Sequence, residues 1–313
     1  MGVAGLLRRG EPVPTERRHV RTDLAVEAKD ALGGQLPGVD TVEETREEGV
    51  AITRVGVTPE GAEHLGKAPG RYVTIGSRRL RQHDPEHATL VGRILRDELQ
   101  KFFQPRPESV LVVGLGNWHA TADALGPKVV ARVLVTRHLR SLLPEAERAG
   151  LSAVAAFSPG VLGITGVETA EVVEGLVDRI GPDLVVAVDA LAALDVARIL
   201  TTIQITDTGI SPGSGVGARR PSLTRERLGC GVVAIGVPTV VHATTIAEEA
   251  ISRLTEEDLG DAERARLAEM FGELVVTPKE IDRQVADLSR LIAGALNSAL
   301  HPEVDLGEWS LFA

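Results

Sequence analysis

The chain has 313 residues, of which 43% are hydrophobic and 25% charged, a composition typical of a globular protein with a substantial core. Its formal net charge of −10 disfavours a protein dedicated to nucleic acids, whose affinity depends on Lys and Arg contacts with phosphate. Cys230 is the only cysteine, so an intrachain disulfide is excluded, and its apolar neighbours indicate a buried side chain.

No apolar run approaches the roughly 20 residues that a membrane-spanning helix needs. The first residues do not form a secretory signal, because their apolar stretch is too short and the charges follow it. We therefore expect an acidic, soluble, cytoplasmic protein that binds neither a membrane nor nucleic acid directly.

Residues 1–20 are rich in Arg, Pro and Glu without periodicity, which predicts a mobile tail. Residues 21–75 contain short alternating runs between glycines and prolines, which predict β-hairpin or edge-strand material. A helical pattern begins near residue 86, and from there strand-like and helix-like segments alternate.

Six short, continuously apolar segments predict strands that are buried on both faces, as in a parallel sheet covered by helices. They span residues 109–116, 131–136, 151–157, 183–190, 201–206 and 230–237. Thr165 and Glu168 form a capping-box pattern before one intervening helix, and Thr277-Pro278 precedes the last one. The predicted fold is an open, mostly parallel α/β sheet flanked by helices, with β-hairpin material near the N-terminus.

Three carboxylates follow predicted strands, where ligands gather in open α/β sheets. Asp123 lies in the loop after the first strand of this series, Asp189 ends another, and Asp207 follows "TTIQIT". A single such Asp more often caps a helix or stabilises a turn. Several at one edge favour a shared site, because neighbouring carboxylates divide acid and base roles.

Two hydrolase motifs around residue 207 fail. Residues 207–209 read Asp-Thr-Gly, but a pepsin-like enzyme is all-β and needs two such loops. Residues 209–213 match the nucleophile elbow Gly-x-Ser-x-Gly, whose residue after Ser must donate a backbone N–H to the oxyanion. Here that residue is Pro212, which has no N–H.

Two glycine loops and two histidines give weaker signals. Residues 114–119 match a dinucleotide fingerprint only in part, and residues 211–220 lack a P-loop lysine, so that a connecting loop is favoured over an anion cradle. His119 and His242 are the histidines best placed near a site, but no metal-binding spacing supports them. We expect no metal and no cofactor.

Several long motifs, in order, resemble the germination protease of endospore-forming bacteria. They are "RTDLAVEA", "GLGNWHATADALGP", "SPGVLGITGVETAEVVEGLVDRIGPDLVVAVDALAA", "TIQITDTGISPGSGVG" and "AIGVPTVV". The resemblance extends from about Arg21 to at least Ile251.

This resemblance implies an endopeptidase made as a zymogen, which removes its own propeptide and degrades small acid-soluble spore proteins in the spore core at germination. It also implies a homotetramer, and an aspartic-type peptidase related in architecture to hydrogenase-maturing peptidases. The family's proposed catalytic aspartates correspond to Asp123 and Asp189. The candidates for supporting or substrate-contacting roles are Asp207, His119, His242 and Ser214.

The chain departs from the family pattern at His119 and Ala122, where Asn and Pro are more usual, and at His242, where Asp is usual. The change at His242 keeps open a metal-dependent maturation-type peptidase of the same architecture. A non-catalytic nucleotide-binding module is the remaining alternative.

The segment "RTDLAVEA" matches the cleavage pattern of the family's substrates, in which an acidic residue precedes the cut and an apolar residue follows it. We therefore predict self-cleavage between Asp23 and Leu24, which divides the chain into a propeptide (1–23) and a single peptidase domain (24–313). An ordinary short β-strand is the alternative reading of this segment.

Overall fold

The structure is a computed structural model that describes residues 22–34, 36–140, 142, 144, 151–213, 220–255 and 259–303. The strands in these ranges are β1 (Val39–Thr45), β2 (Ala51–Val57), β3 (Gly70–Gly76), β4 (Ser109–Gly114), β5 (Ala153–Phe157), β6 (Leu184–Ala193), β7 (Thr202–Thr206), β8 (Gly231–His242) and β9 (Val275–Val276). The helices are α1 (Ala25–Leu32), α2 (Pro59–Leu65), α3 (Pro85–Phe102), α4 (Leu125–Val130), α5 (Leu162–Thr165), α6 (Thr169–Ile180), α7 (Arg225–Leu228), α8 (Ala243–Thr255), α9 (Asp261–Phe271) and α10 (Ile281–Leu300).

One sheet contains these strands in the order β1-β2-β3-β7-β8-β6-β4-β5, and β9 pairs with the end of β8. The half formed by β8, β6, β4 and β5 is parallel. Its central strands are apolar and buried almost throughout, as strands with helices on both faces must be. The predicted α/β fold with flanking helices is confirmed.

The two faces of the parallel half pack against different helices. Val186 and Val188 of β6 join the core that contains α3, α4 and α10. Val185 and Ala187 point to the opposite face and join the core that contains α6 and the end of α7. Because side chains alternate along a strand, Asp189 lies on this second face.

The other half of the sheet is antiparallel. β1, β2 and β3 form a meander, which confirms the β-hairpin material predicted near the N-terminus. β7 is antiparallel to both β3 and β8, so the prediction that residues 201–206 run parallel with the other strands is wrong. A short run of β-branched residues fits either direction, and only its pairing partners decide.

Three local predictions are also corrected. Residues 131–136 form no strand, because they turn away directly after α4 and the Thr136 hydroxyl bonds to the backbone of residues 152 and 154 instead. Thr165 ends α5 rather than capping α6, whose N-cap is Glu168. The segment after Leu24 is helical and not a strand, in keeping with the good helix formers of "AVEAKDAL".

Among the helices described above, none is both long enough and apolar enough to cross a membrane.

Candidate active site

Asp189 is a buried carboxyl in the middle of the sheet, with a side chain that is 4% exposed. It accepts hydrogen bonds from the backbone N–H of Ala190 at 2.9 Å and from that of Gly213. Burial raises the pKa of Asp189 well above its ordinary value, and the nearby charge of Asp123 raises it further. The two amides only partly offset these effects.

Asp123 ends a short 3₁₀ turn in the loop that follows β4. Its carboxylate accepts the Asn117 N–H at 2.8 Å. Burial raises the pKa of Asp123 to about 6, although the Asn117 amide and the positive charge of Arg220 act in the opposite direction. Gly116, with φ of 107°, permits the turn, since a Cβ there would lie under 3.0 Å from the backbone and carboxylate oxygens of Asp123.

Close backbone packing brings the Asp123 loop next to β6. The Leu115 N–H donates to the Val188 carbonyl at 2.8 Å, one residue before Asp189. Gly126, in the first turn of α4, lies directly against the carbonyls of Leu115 and Val188. A Cβ at Gly114 would in turn collide with the backbone of Gly126. Glycine at these positions therefore places the two carboxyl groups close enough to influence each other's titration.

Two adjacent carboxyl groups with raised pKa values can hold one proton between them. Asp189 is the more deeply buried of the two, and the charge of Asp123 raises its pKa further, so Asp123 is suited to act as a base and Asp189 as an acid. This arrangement is suited to the hydrolysis of an amide bond through attack by water.

Asp207 lies elsewhere. Because β7 is antiparallel, its carboxyl end points away from the edge at which Asp123 lies, and the expectation that all three carboxylates meet at one edge is wrong. The Asp207 carboxylate accepts the backbone N–H of Arg71 and its Nε–H, each at 2.8 Å. The loop that begins at Asp207 does reach the pair, through the Gly213 amide and the Arg220 charge.

The other candidate residues are His119, His242 and Ser214. His119 is exposed, and its backbone N–H donates to Asn117 Oδ1 at 2.9 Å. His242 is the half-buried last residue of β8, opposite Val275 of β9. Ser214 lies outside the described residues. Within the described ranges, no three His, Cys, Asp or Glu side chains are grouped as a metal site would require.

The segment around the predicted cut lies against the strand that carries Asp189. The Asp23 carboxylate accepts the Ala192 N–H at 2.9 Å, and its charge is close enough to raise the pKa of Asp189. Leu24 is completely buried and packs in a small core with Leu191 and Ala193. The predicted cleavage segment and the carboxyl pair are thus brought together.

Two residues that contact this segment were not anticipated. Lys67 Nζ donates to the Thr22 carbonyl at 2.5 Å, and the charges of Asp23 and Glu27 partly offset the burial that lowers the Lys67 pKa. Gln204 of β7 bonds to the backbone on both sides of Leu24. An isolated Lys or Gln forms no motif, so that the sequence offered no signal for either.

Comparison with known proteins gives a family. The family model described as "Germination protease" matches residues 17–265 and 253–313. Germination proteases of Bacillus cereus (strain ATCC 10987 / NRS 248) and Bacillus mycoides (strain KBAB4) are each 40% identical to this chain, covering 94% of it and 97% of the relative.

Among solved structures, a [NiFe] hydrogenase maturation protease, HycI from Thermococcus kodakarensis KOD1, aligns with a TM-score of 0.35 and 22% identity over 63% of this chain and 97% of that one. The sequence matches extend over nearly the whole chain and agree with each other. The chain therefore belongs to the germination protease family, and it is a peptidase with a role in spore germination.

Proposed function

We propose that the chain is a zymogen that cuts its own Asp23–Leu24 bond and then cleaves small acid-soluble spore proteins in the spore core. Asp123 and Asp189 are the catalytic pair of an aspartic-type mechanism. The observation that carries this proposal is the position of the Asp23–Leu24 segment, which is bonded to the same strand as Asp189. In this proposal residues 1–23 are the propeptide, residues 24–313 are one peptidase domain, and the working form is a homotetramer.

The reaction consumes one water molecule. Ionised Asp123 takes a proton from water while the water oxygen bonds to the Asp23 carbonyl carbon, and the carbonyl oxygen becomes an oxyanion. When this intermediate collapses, the C–N bond breaks and its electron pair goes to the Leu24 nitrogen. Protonated Asp189 supplies the proton that this nitrogen requires, and Asp123 keeps the proton taken from water.

The contacts of Asp23 account for a preference for an acidic residue before the cut. The Asp23 carboxylate accepts a hydrogen bond from the Ala192 N–H. Its negative charge acts on the nearby Lys67, where it partly offsets the lowering of the Lys67 pKa by burial. Leu24 fills the adjoining apolar space against Leu191. The acidic residue of a substrate would take the place that Asp23 vacates after processing.

The first test is the intact mass of the purified full-length chain before and after incubation at mildly acid pH. We expect a loss of residues 1–23 and a new N-terminus at Leu24. A parallel incubation with a chelator is expected to give the same product. Loss of cleavage in chelator would instead indicate the metal-dependent peptidase, and a different N-terminus would exclude the predicted cut.

The pH dependence of self-cleavage is a second test. Because the pKa of Asp123 is about 6, we expect the first-order rate to rise roughly tenfold per pH unit below 6 and to level off above it. At higher pH the rate should fall as Asp189 loses its proton, because no acid then remains for the leaving nitrogen. Mass spectrometry of timed samples between pH 4.5 and 9 measures this profile, and a rate independent of pH would contradict the assignment.

A further inference from the structure

We propose that Gln204 polarises the carbonyl of the scissile Asp23–Leu24 bond and donates the hydrogen bond that stabilises the oxyanion. This inference rests on the proposed function, and it assigns a third catalytic residue beside the two carboxyl groups.

The sheet places Gln204 in line with Asp189. Gln204 of β7 is paired with Gly236 of β8, and Gly236 is paired with Asp189 of β6. Residues that are directly opposite each other on neighbouring strands present their side chains to the same face. Ile203 and Ile205 belong to the first core, so Gln204 points to the second face, as Asp189 does.

Gln204, Gly236 and Asp189 thus form a row across three neighbouring strands, and its middle residue, Gly236, has no side chain. A Cβ at Gly236 would lie under 3.0 Å from the Leu191 side chain, which therefore covers this position. Leu24 packs in the same small core as Leu191. The Asp23–Leu24 segment thus lies over the row, with Gln204 at one end and Asp189 at the other.

The Gln204 amide binds the backbone on both sides of Leu24. Its Nε2 donates to the Asp23 carbonyl oxygen at 3.2 Å, and its Oε1 accepts the Ala25 N–H at 2.7 Å. The orientation of the amide is fixed, because a carbonyl must face the NH₂ group and an N–H must face the oxygen. The Asp23 carbonyl is the group that water attacks in the proposed reaction.

The surroundings strengthen this hydrogen bond. Gln204 is only 6% exposed, and a donor in a site shielded from bulk solvent stabilises developing negative charge far more than it does in solution. The bond to Ala25 holds the amide in place, so little reorganisation is needed as the oxyanion forms. Loss of one such donor typically lowers a rate by about 10²–10³-fold.

The test compares the self-cleavage rates of full-length Gln204→Ala and Gln204→Glu with that of the wild type. Gln204→Ala removes the donor, and we expect the rate to fall by about 10²-fold. Gln204→Glu keeps the shape and the acceptor for Ala25, but it can donate to the carbonyl only while its carboxyl is protonated. We therefore expect the ratio of wild-type to Gln204→Glu rates to increase with pH, up to tenfold per unit.

Gln284→Ala is the matched control, since Gln284 is 7% exposed and lies on α10, which packs in the core on the opposite face of the sheet. It reports the effect of removing a buried glutamine as such, and we expect a cleavage rate near that of the wild type. Thermal unfolding of each variant shows whether it is folded.

The outcomes separate this inference from the proposed function. A Gln204→Ala chain that cleaves within about threefold of a cleaving wild type overturns the role of Gln204 alone. A rate ratio for Gln204→Glu that does not change with pH shows a merely structural role and overturns it as well. If the wild type never cleaves itself, the proposed function is overturned and this inference with it. The same holds if the Asp189→Asn variant cleaves itself as fast as the wild type.

Discussion

The Asp189→Asn chain is expected to retain its first 23 residues under conditions in which the wild type loses them, with a rate at least about 10³-fold lower. Asparagine keeps an oxygen that accepts the amides of Ala190 and Gly213, so the fold is preserved. It has no acidic proton for the leaving nitrogen. Intact mass over a time course measures the loss, and Asp123→Asn is expected to give the same result because it removes the base.

The same substitution is expected to raise thermal stability at neutral pH. The pKa of Asp189 in the folded chain lies well above 3.8, so the unfolded chain releases its proton first and the folded chain loses stability as pH rises past that value. Asparagine has no ionisable proton, so the variant does not lose stability in this way. For Asp123→Asn, because the pKa of Asp123 rises to about 6, the gain in stability above pH 6 is on the order of 3 kcal/mol.

Asp183→Asn is the control for both effects. Asp183 precedes β6, is exposed, and accepts the amides of Glu108 and Ser109 at the opposite edge of the sheet. We expect normal cleavage and no gain in stability from this substitution, because the carboxylate is exposed to solvent. An Asp189→Asn chain that cleaves like this control, or that is no more stable than the wild type at pH 8, would contradict the role of Asp189.

Gly126→Ala is expected to damage both stability and cleavage. The added Cβ would lie under 3.0 Å from the carbonyls of Leu115 and Val188, which are backbone atoms and cannot rotate away. We expect a loss of about 3 kcal/mol in the free energy of unfolding, at the upper end for overpacked sites. The displacement of α4 from β6 also separates Asp123 from Asp189, and a misplacement of about 1 Å lowers a rate by roughly 10²-fold.

Gly175→Ala provides the comparison. Gly175 lies in α6, and a Cβ there meets nothing within 4 Å. Alanine should stabilise this helix by up to about 1 kcal/mol, with cleavage unchanged. Denaturant unfolding and timed mass measurements on both variants test the expectation. Equal behaviour of the two variants would show that close packing at Gly126 does not position the pair.

The sequence was sufficient to predict the parallel core, because β4, β6 and β8 are apolar runs that permit little else. It also predicted that Asp123 and Asp189 follow such strands. The direction of β7 could not be predicted, since "TTIQIT" contains no information about its neighbours. Because of this error, Asp207 was expected at the same edge of the sheet as Asp123 and Asp189.

Two other features differ in whether they can be predicted from the sequence. The Ala, Glu and Lys residues after Leu24 favour a helix. The helix was not predicted, because the segment was interpreted as a cleavage site or a short strand. Gln204 had none, because its significance depends on a backbone segment about 180 residues earlier in the chain. Contacts of this range exist only in the folded protein.

The position of β8 between β7 and β6 bears on when the proposed cut can occur during synthesis. The segment to be cut is made first, Asp123 and Asp189 follow, and Gln204 comes later still. None of them is aligned until Gly231–His242 has joined the two halves of the sheet. A growing chain on the ribosome therefore has no assembled site, and the proposed cut can occur only after most of the polypeptide has been made and folded.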